Sequence, residues 1–224
     1  MKKALVLLSG GVDSSTLLFY VKQRINVASV YALSFLYGQK HARELDAARW
    51  QAVKAGVKDH RVVDISFLGE LLAGAGCALL DPDVDVPDLS ELDRDARSQP
   101  PTYVPNRNMI LLSIAAAFSE TLDISDMFYG AQAQDEYGYW DCSDRFVKRL
   151  NNALALNRKK PVLIHAPFAS MTKAKVLGIG FDLGVDYAHT WSCYRGADKP
   201  CGTCPTCVER AKAFRENDTP DPLS

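Results

Sequence analysis

Five apolar residues in a row, Ala4 to Leu8, stop abruptly at Ser9-Gly10-Gly11-Val12-Asp13-Ser14-Ser15, after which Leu17, Leu18 and Val21 recur at helical spacing. An unbroken apolar run suits a strand buried on both faces of a parallel sheet. A strand that passes at once into a helix through a glycine turn is the first half of a βαβ unit. Asp13, Ser14 and Ser15 are residue types favoured at a helix start. Val27 to Phe35 continues as a second strand, Ala42 to Ala55 as a helix ending near Gly56, and His60 to Ile65 as a third strand. Right-handed crossovers then predict an α/β fold with a doubly wound, mostly parallel sheet, whose ligands bind at the carboxyl ends of its strands.

Downstream, the apolar positions Met109, Ile110, Leu112, Ile114 and Ala117 predict a helix from Asn106, followed by a strand over Met127 to Gly130 and a helix over Ser143 to Leu156. Pro161 to Pro167 supplies a short strand, and Lys173 to Leu183 a last core helix before a cysteine-rich tail. Between Asp81 and Pro101 seven acidic residues meet only Arg94 and Arg97, so this stretch carries −5 and leaves about +4 on the remaining residues. Its four prolines break any periodicity, and it reads as an exposed loop, either functional or a solvated insertion without a role. No internal repeat or independent second domain is visible, so residues 1–224 are expected to form one domain that includes the segment 190–210.

Twenty-six Lys and Arg against 27 Asp and Glu give a formal charge of −1, which offers no bulk attraction to nucleic acid or an anionic membrane. Any phosphate must therefore be held locally. The apolar runs are too short to span a bilayer, and Met1-Lys2-Lys3 leads straight into a strand without the longer apolar stretch of a signal peptide. A soluble, cytoplasmic protein is expected, with no nucleic-acid or membrane partner.

The glycine turn is suited to an anion. Where a strand hands over to a helix, unpaired backbone N–H groups and the positive helix end face outward together. Glycine at 10 and 11 lets the main chain approach a pyrophosphate, and the hydroxyls of Ser9, Ser14 and Ser15 can donate further hydrogen bonds. No Gly-Lys-Ser/Thr follows, so the turn is not a Walker loop, and Gly-x-Gly-x-x-Gly is not present either. Asp13 has two readings: a helix cap, or a carboxylate that helps place magnesium against the phosphates.

Cys193, Cys201, Cys204 and Cys207 have the spacing C-x7-C-x2-C-x2-C. Four soft ligands, with turns supplied by Gly202 and Pro205, imply one tetrahedral zinc in a structural role, with an iron–sulfur cluster as the alternative. Cys77 is expected to be a small buried apolar residue, whereas the polar neighbours of Cys142 leave its role open.

The string Ser9 to Ser14 resembles the SGGxDS loop of the ATP-pyrophosphatase (PP-loop) superfamily, which cleaves ATP to AMP and pyrophosphate while activating a carbonyl oxygen. Nearly the whole chain resembles the 7-cyano-7-deazaguanine synthases (QueC family) of that superfamily. The resemblance includes Tyr37-Gly38-Gln39-Lys40-His41 with Glu44-Leu45, Tyr103-Val104-Pro105-Asn106-Arg107-Asn108, Thr172-Lys173, and Thr190-Trp191-Ser192-Cys193-Tyr194 leading into the cysteine cluster. One segment departs from the family pattern: Asp135-Glu136-Tyr137-Gly138-Tyr139-Trp140-Asp141-Cys142-Ser143 stands where Asp-Tyr-Ser-Gly-Tyr-Pro-Asp-Cys-Arg is common.

The resemblance implies an ATP-dependent ligase that adenylates 7-carboxy-7-deazaguanine, forms an amide with ammonia, and adenylates the amide so that it collapses to the nitrile preQ0. Leu8, Ser9, Gly10, Gly11, Val12, Asp13, Ser14 and Ser15 would bind ATP with Mg2+. Lys173, Arg107 and Asp13 would be catalytic, and Gln39, Arg107, Asp135, Tyr139 and Asp141 would bind the substrate. A surface ion pair for Arg107 and a solvated helix-start lysine at 173 are the structural alternatives. The altered segment 135–143 also admits a diverged ligase that stops at the amide or joins the activated carboxylate to a protein amine, as in bacterial antiviral defence. Homodimerisation is a further implication. A zinc-ribbon nucleic-acid adaptor with a vestigial glycine loop is a reading from another class, and it lacks the basic face it would need.

Overall fold

The computed structural model describes residues 2–40, 43–92, 99–133 and 139–224. His41, Ala42, Arg94, Arg97, Asp135, Glu136, Tyr137 and Gly138, to which the sequence reading assigned places or roles, lie outside the described residues. Among the described residues, five parallel strands, β1 (Lys3–Leu7), β2 (Ser29–Leu36), β3 (Asp59–Asp64), β4 (Asp126–Phe128) and β5 (Leu163–His165), form one sheet in the order β3-β2-β1-β4-β5. Seven α-helices among the described residues connect or follow them: α1 (Val12–Gln23), α2 (Arg43–Ala55), α3 (Phe67–Leu71), α4 (Arg107–Thr121), α5 (Asp144–Leu154), α6 (Lys173–Asp182) and α7 (Pro205–Glu216).

Strand pleating divides β1 between two cores. Ala4, Val6 and Leu8 pack with Leu17 and Leu18 of α1, Ala48 and Ala52 of α2, Val176 and Leu177 of α6, and Phe214 of α7. Leu5 and Leu7 face the other way, toward Leu112 and Ala115 of α4 and Phe146 of α5. Leu5, Leu17, Leu18 and Leu112 are fully buried, each contributing about 2 kcal/mol from apolar area removed from water. The sheet is thus covered on both faces, as the unbroken apolar run in β1 requires. The chain crosses from one side of the sheet to the other between β1 and β4, and ligands of such sheets bind beyond the carboxyl ends of the strands at that point.

Several boundaries differ from the sequence reading for local reasons. β2 begins at Ser29, because Asn26 takes a left-handed conformation (φ 57°) and Val27 donates its N–H back to Val21 O. α1 is capped at Gly11, in extended conformation, so Asp13 lies inside the first turn and is not the cap. α5 begins after Ser143, whose Oγ accepts from Phe146 N at 3.2 Å, and α6 after Thr172, whose Oγ1 accepts from Lys175 N at 3.4 Å.

Two larger corrections concern the tail and the acidic stretch. α6 is not the last core helix: the cysteine-rich tail continues into α7, with Pro205 in its first turn and Ala213 and Phe214 buried against α6. The segment 81–92 is not simply an exposed loop. Val86 is buried, and a short 3-10 turn at Leu89–Glu91 has Asp88 and Glu91 capping one another's backbone.

Candidate active site and metal centre

At the carboxyl ends of β1 and β4 lies a cavity of about 910 Å³, with Leu8, Ser9, Gly11, Val12, Asp13 and Ser14 in its wall. The turn is pre-arranged by its own side chains. Ser9 Oγ and Ser14 Oγ are 2.9 Å apart, Ser9 N donates to Ser14 Oγ at 3.1 Å, and Gly11 N to Ser9 Oγ at 3.3 Å. The first-turn amides of α1 have no acceptor within the helix, and this is the part of α1 that borders the cavity. Trp191 N donates to Gly10 O at 3.0 Å and fixes the turn from behind.

Gly10 and Ser15 are placed differently from the other residues of the turn. Gly10 is buried with φ +84°, and a Cβ there would stand 2.1 Å from Glu44 O and 2.6 Å from Ala48 N. Glycine at 10 is therefore required by α2 packing beneath the turn. Ser15 is fully buried outside the cavity wall, its Oγ without a partner among the described residues. At the carboxyl end of β4, Gly130 brings the second strand end against the turn: a Cβ there would be 3.4 Å from Ser14 Cα.

Lys173, the first residue of α6, is buried and enters the same cavity, so it is not a solvated lysine. Its Nζ is 3.1 Å from Asp13 Oδ2 and 3.6 Å from Glu209 Oε2 of α7. Asp13 Oδ1 is buried without a partner among the described residues. An oxygen left in that state beside a phosphate-type turn is the donor that a divalent cation would take.

Across the cavity, α4 starts at Arg107 after Asn106, which adopts the left-handed conformation that asparagine tolerates (φ 54°). Arg107 is not a surface ion-pair residue. Its guanidinium lies over the Tyr37 ring, 5.8 Å from the centroid, and its Nε donates to Asn108 Oδ1 at 3.2 Å. Tyr139 stands in the cavity wall, with its hydroxyl 2.7 Å from Thr102 Oγ1 and its ring beside Tyr103. Trp140 is outside it, edge-on to Phe146 and donating to Tyr103 OH at 2.9 Å.

Asp141 and Gln39 lie outside the cavity wall. Asp141 is buried behind it, where Oδ2 accepts from Asn108 N at 3.2 Å and so satisfies an amide in the first turn of α4. Burial raises the pKa of Asp141, against the pull of Arg107. Gln39 Oε1 accepts from Tyr37 N at 2.7 Å, and its Nε2 donates to Glu44 Oε1 at 3.0 Å and Phe35 O at 3.3 Å. Gln39 thereby presents Glu44, which the sequence reading left without a role, to the cavity. Burial pushes the Glu44 carboxyl up to about 7, although Arg107 and the Gln39 amide favour its charged form.

Cys142 Sγ also borders the cavity, within reach of Asn108 Nδ2 (3.4 Å) and Tyr129 OH (3.2 Å). Cys77 is packed in the core, as expected.

The sulfurs of Cys193, Cys201, Cys204 and Cys207 all lie within 4.8 Å of one another. Three of these residues are buried and Cys201 is half-buried. Cys201 N donates to Cys193 Sγ at 3.4 Å and Cys204 N to Cys201 Sγ at 3.3 Å, which suits thiolates. Hydrogen bonds from Cys193 and Cys207 drive the Cys204 thiol far below its ordinary range. This set of four soft ligands fits a tetrahedral metal ion of the zinc type, with Cys201 Sγ and Cys207 Sγ 3.9 Å apart.

The cluster is linked to both sides of the cavity. Trp191 Nε1 donates to Cys193 O at 3.0 Å, connecting it to the phosphate-type turn. Arg195 grips the acidic segment: its Nη2 reaches Val86 O at 2.8 Å and Asp88 Oδ1 at 2.6 Å, while its Nη1 reaches Thr203 Oγ1 at 2.9 Å. Leu89 N donates to Thr203 O at 3.0 Å. Leu89, Glu91 and Leu92 then form part of the cavity wall. No helix among the described residues is long and apolar enough to cross a membrane.

Among solved structures, the fold is similar to NMN synthetase from Francisella tularensis (TM-score 0.52, 13% identity, 96% of this chain and 77% of that one). It is also similar to a predicted subunit of tRNA methyltransferase from Methanocaldococcus jannaschii (TM-score 0.50, 12% identity, 99% and 91% covered). At these identities the likeness concerns the fold alone. Among curated relatives, proteins named 7-cyano-7-deazaguanine synthase are 44% identical over 221 residues in Caldicellulosiruptor bescii (99% of this chain, 96% of that one) and 45% identical over 222 residues in Archaeoglobus fulgidus (99% and 89%). The family model described as "Queuosine biosynthesis protein QueC" matches residues 3–218, and with these relatives it shows that the chain belongs to the QueC family.

Proposed function

We propose that this protein converts 7-carboxy-7-deazaguanine and ammonia to 7-cyano-7-deazaguanine at the expense of ATP, through an adenylate and an amide. The observation that carries this reading is the joint placement of the Ser9–Ser14 turn and Lys173 in one cavity with Arg107 and Tyr139. The amides of the turn and the hydroxyls of Ser9 and Ser14 hold the leaving pyrophosphate. Asp13 Oδ1 would hold magnesium, which supplies neutralisation of phosphate charge when bound. Lys173, positioned by Asp13 and Glu209, stabilises the charge that grows at the α-phosphate as the carboxylate oxygen attacks it. Arg107 offers a fork of donors to the carboxylate or a phosphate oxygen, and Tyr139 lends an aromatic face to the base. The same groups serve a second adenylation, on the amide oxygen, after which loss of AMP and the remaining N–H proton leaves the nitrile.

The four cysteines would hold a structural zinc, which ties Trp191 and the segment 86–92 into one wall. Purified protein incubated with 7-carboxy-7-deazaguanine, ATP, magnesium and ammonia should release AMP and form the nitrile. Absence of both AMP and any amide or nitrile contradicts the proposal. Mass spectrometry of the same mixture with candidate protein amines separates nitrile synthesis from conjugation.

A further inference from the structure

The proposed reaction requires a group that removes a proton from the attacking nitrogen, and neither Lys173 nor Arg107 is suited to accept one. Among the described residues, the carboxylates in the cavity wall are Asp13, Glu44, Glu91 and Glu209. Asp13 and Glu209 both face Lys173, and Glu91 Oε2 accepts from Asp88 N at 2.8 Å in its own capping turn. Glu44 differs from them in position. Its carbonyl packs directly against Gly10 of the phosphate-type turn, while its side chain points to Gln39, which holds one oxygen at 3.0 Å. Gln39 is in turn locked by Tyr37 N, so its amide can only donate toward Glu44. Glu44 thus stands between the turn and the wall formed by Tyr37 and Arg107.

We infer that Glu44 is the proton acceptor for the nitrogen nucleophile, with Gln39 as the residue that positions it. This inference rests on the adenylation proposed above. As the lone pair of ammonia forms the C–N bond, an N–H proton passes to the Glu44 carboxylate, the carbonyl-to-AMP bond breaks, and AMP leaves with its electron pair. Glu44 then returns the proton to solvent. Burial holds its carboxyl near 7, against Arg107 of α4 and the Gln39 amide, so both the accepting and the released forms are populated at neutral pH. Tyr37, itself pushed up to about 12 by burial, remains neutral beside it.

The test compares two nucleophiles in Glu44→Gln and Glu44→Asp. Hydroxylamine is largely neutral at pH 7 and traps an adenylate with less need of a base than ammonia. With Glu44→Gln, ammonia-dependent product should fall about 100-fold while AMP formation trapped by hydroxylamine stays within about threefold of wild type. Glu44→Asp should recover part of the ammonia reaction. An equal loss with both nucleophiles overturns the inference, since it makes Glu44 a binding or structural residue. If the wild type itself forms no hydroxamate from 7-carboxy-7-deazaguanine and ATP, the adenylation reading fails and this inference falls with it.

Discussion

Lys173 Nζ lies 3.1 Å from Asp13 Oδ2, so the first residue of α6 is paired with the first turn of α1 inside the cavity wall. Helix α6 follows β5 at one edge of the sheet, yet the pair brings its start beside the carboxyl end of β1. This pair fixes a cation where the phosphate-type turn opens.

Replacing Lys173 by Met should therefore reduce kcat by about 100- to 1000-fold, as for loss of one preorganised charge-stabilising donor. Asp13→Asn should also lower kcat, and the double variant should be less impaired than the two losses multiplied together, because the residues act as a unit. Steady-state AMP release measures all three, and fully multiplicative losses would mean that the pair has no joint role.

Gly10 and Gly11 should respond in opposite ways. Gly10→Ala places a Cβ against the backbone of α2 and strains a left-handed residue, and should cost about 2–4 kcal/mol in urea unfolding. Gly11→Ala meets only ordinary contacts, with Ser9 Oγ at 3.4 Å and Trp191 O at 3.6 Å. It should leave stability within about 1 kcal/mol of wild type and raise the KM for ATP roughly tenfold.

These glycines show what the sequence could and could not disclose. The strand, the turn and the helix after it are written in consecutive residues, and the four cysteines that cluster are written in a local spacing, so both were legible. The reason for Gly10 was not, because it comes from α2, more than thirty residues away, packing beneath the turn. Glu44 belongs to the family resemblance but has no legible role for a related reason: Tyr37 and Gln39 are near it in sequence, whereas Arg107, which completes its surroundings, comes from α4 and meets it only in the fold. By residue type Asp141 suits a substrate ligand; in the fold Oδ2 is engaged at the start of α4, while Oδ1 is buried without a partner among the described residues. The acidic composition of 81–101 suggested solvent, and the docking of Asp88 on Arg195 depends on a partner more than a hundred residues downstream.

Removing a metal held by the four cysteines should loosen this docking. Chelation, or Cys204→Ser, should expose the segment 86–92 to protease and abolish activity, with stability falling because metal binding and local folding are coupled. Arg195→Ala should expose the same segment while keeping the metal bound. Equal protease resistance of Arg195→Ala and wild type would show that the Arg195 grip does not hold the segment.

Glu44 also predicts a pH dependence of stability. Its pKa rises from the ordinary 4.5 to about 7 on folding, so between these values the native state retains a proton that the unfolded chain has released. Stability attributable to this residue is therefore present below pH 4.5, falls as pH rises to about 7, and is level above that. Glu44→Gln lacks this loss. Relative to wild type it should gain about 1–3 kcal/mol between pH 4.5 and pH 8 in urea unfolding, and a gain in the opposite direction would contradict the burial of Glu44.

The fate of the carboxylate oxygens tests the account most directly. With 7-carboxy-7-deazaguanine labelled with oxygen-18 at both carboxylate positions, each adenylation passes one labelled oxygen to the AMP it releases. Mass spectrometry should find two AMP per nitrile, each with one heavy oxygen, and unlabelled pyrophosphate. Unlabelled AMP, or label in inorganic phosphate, would contradict adenylation at this site.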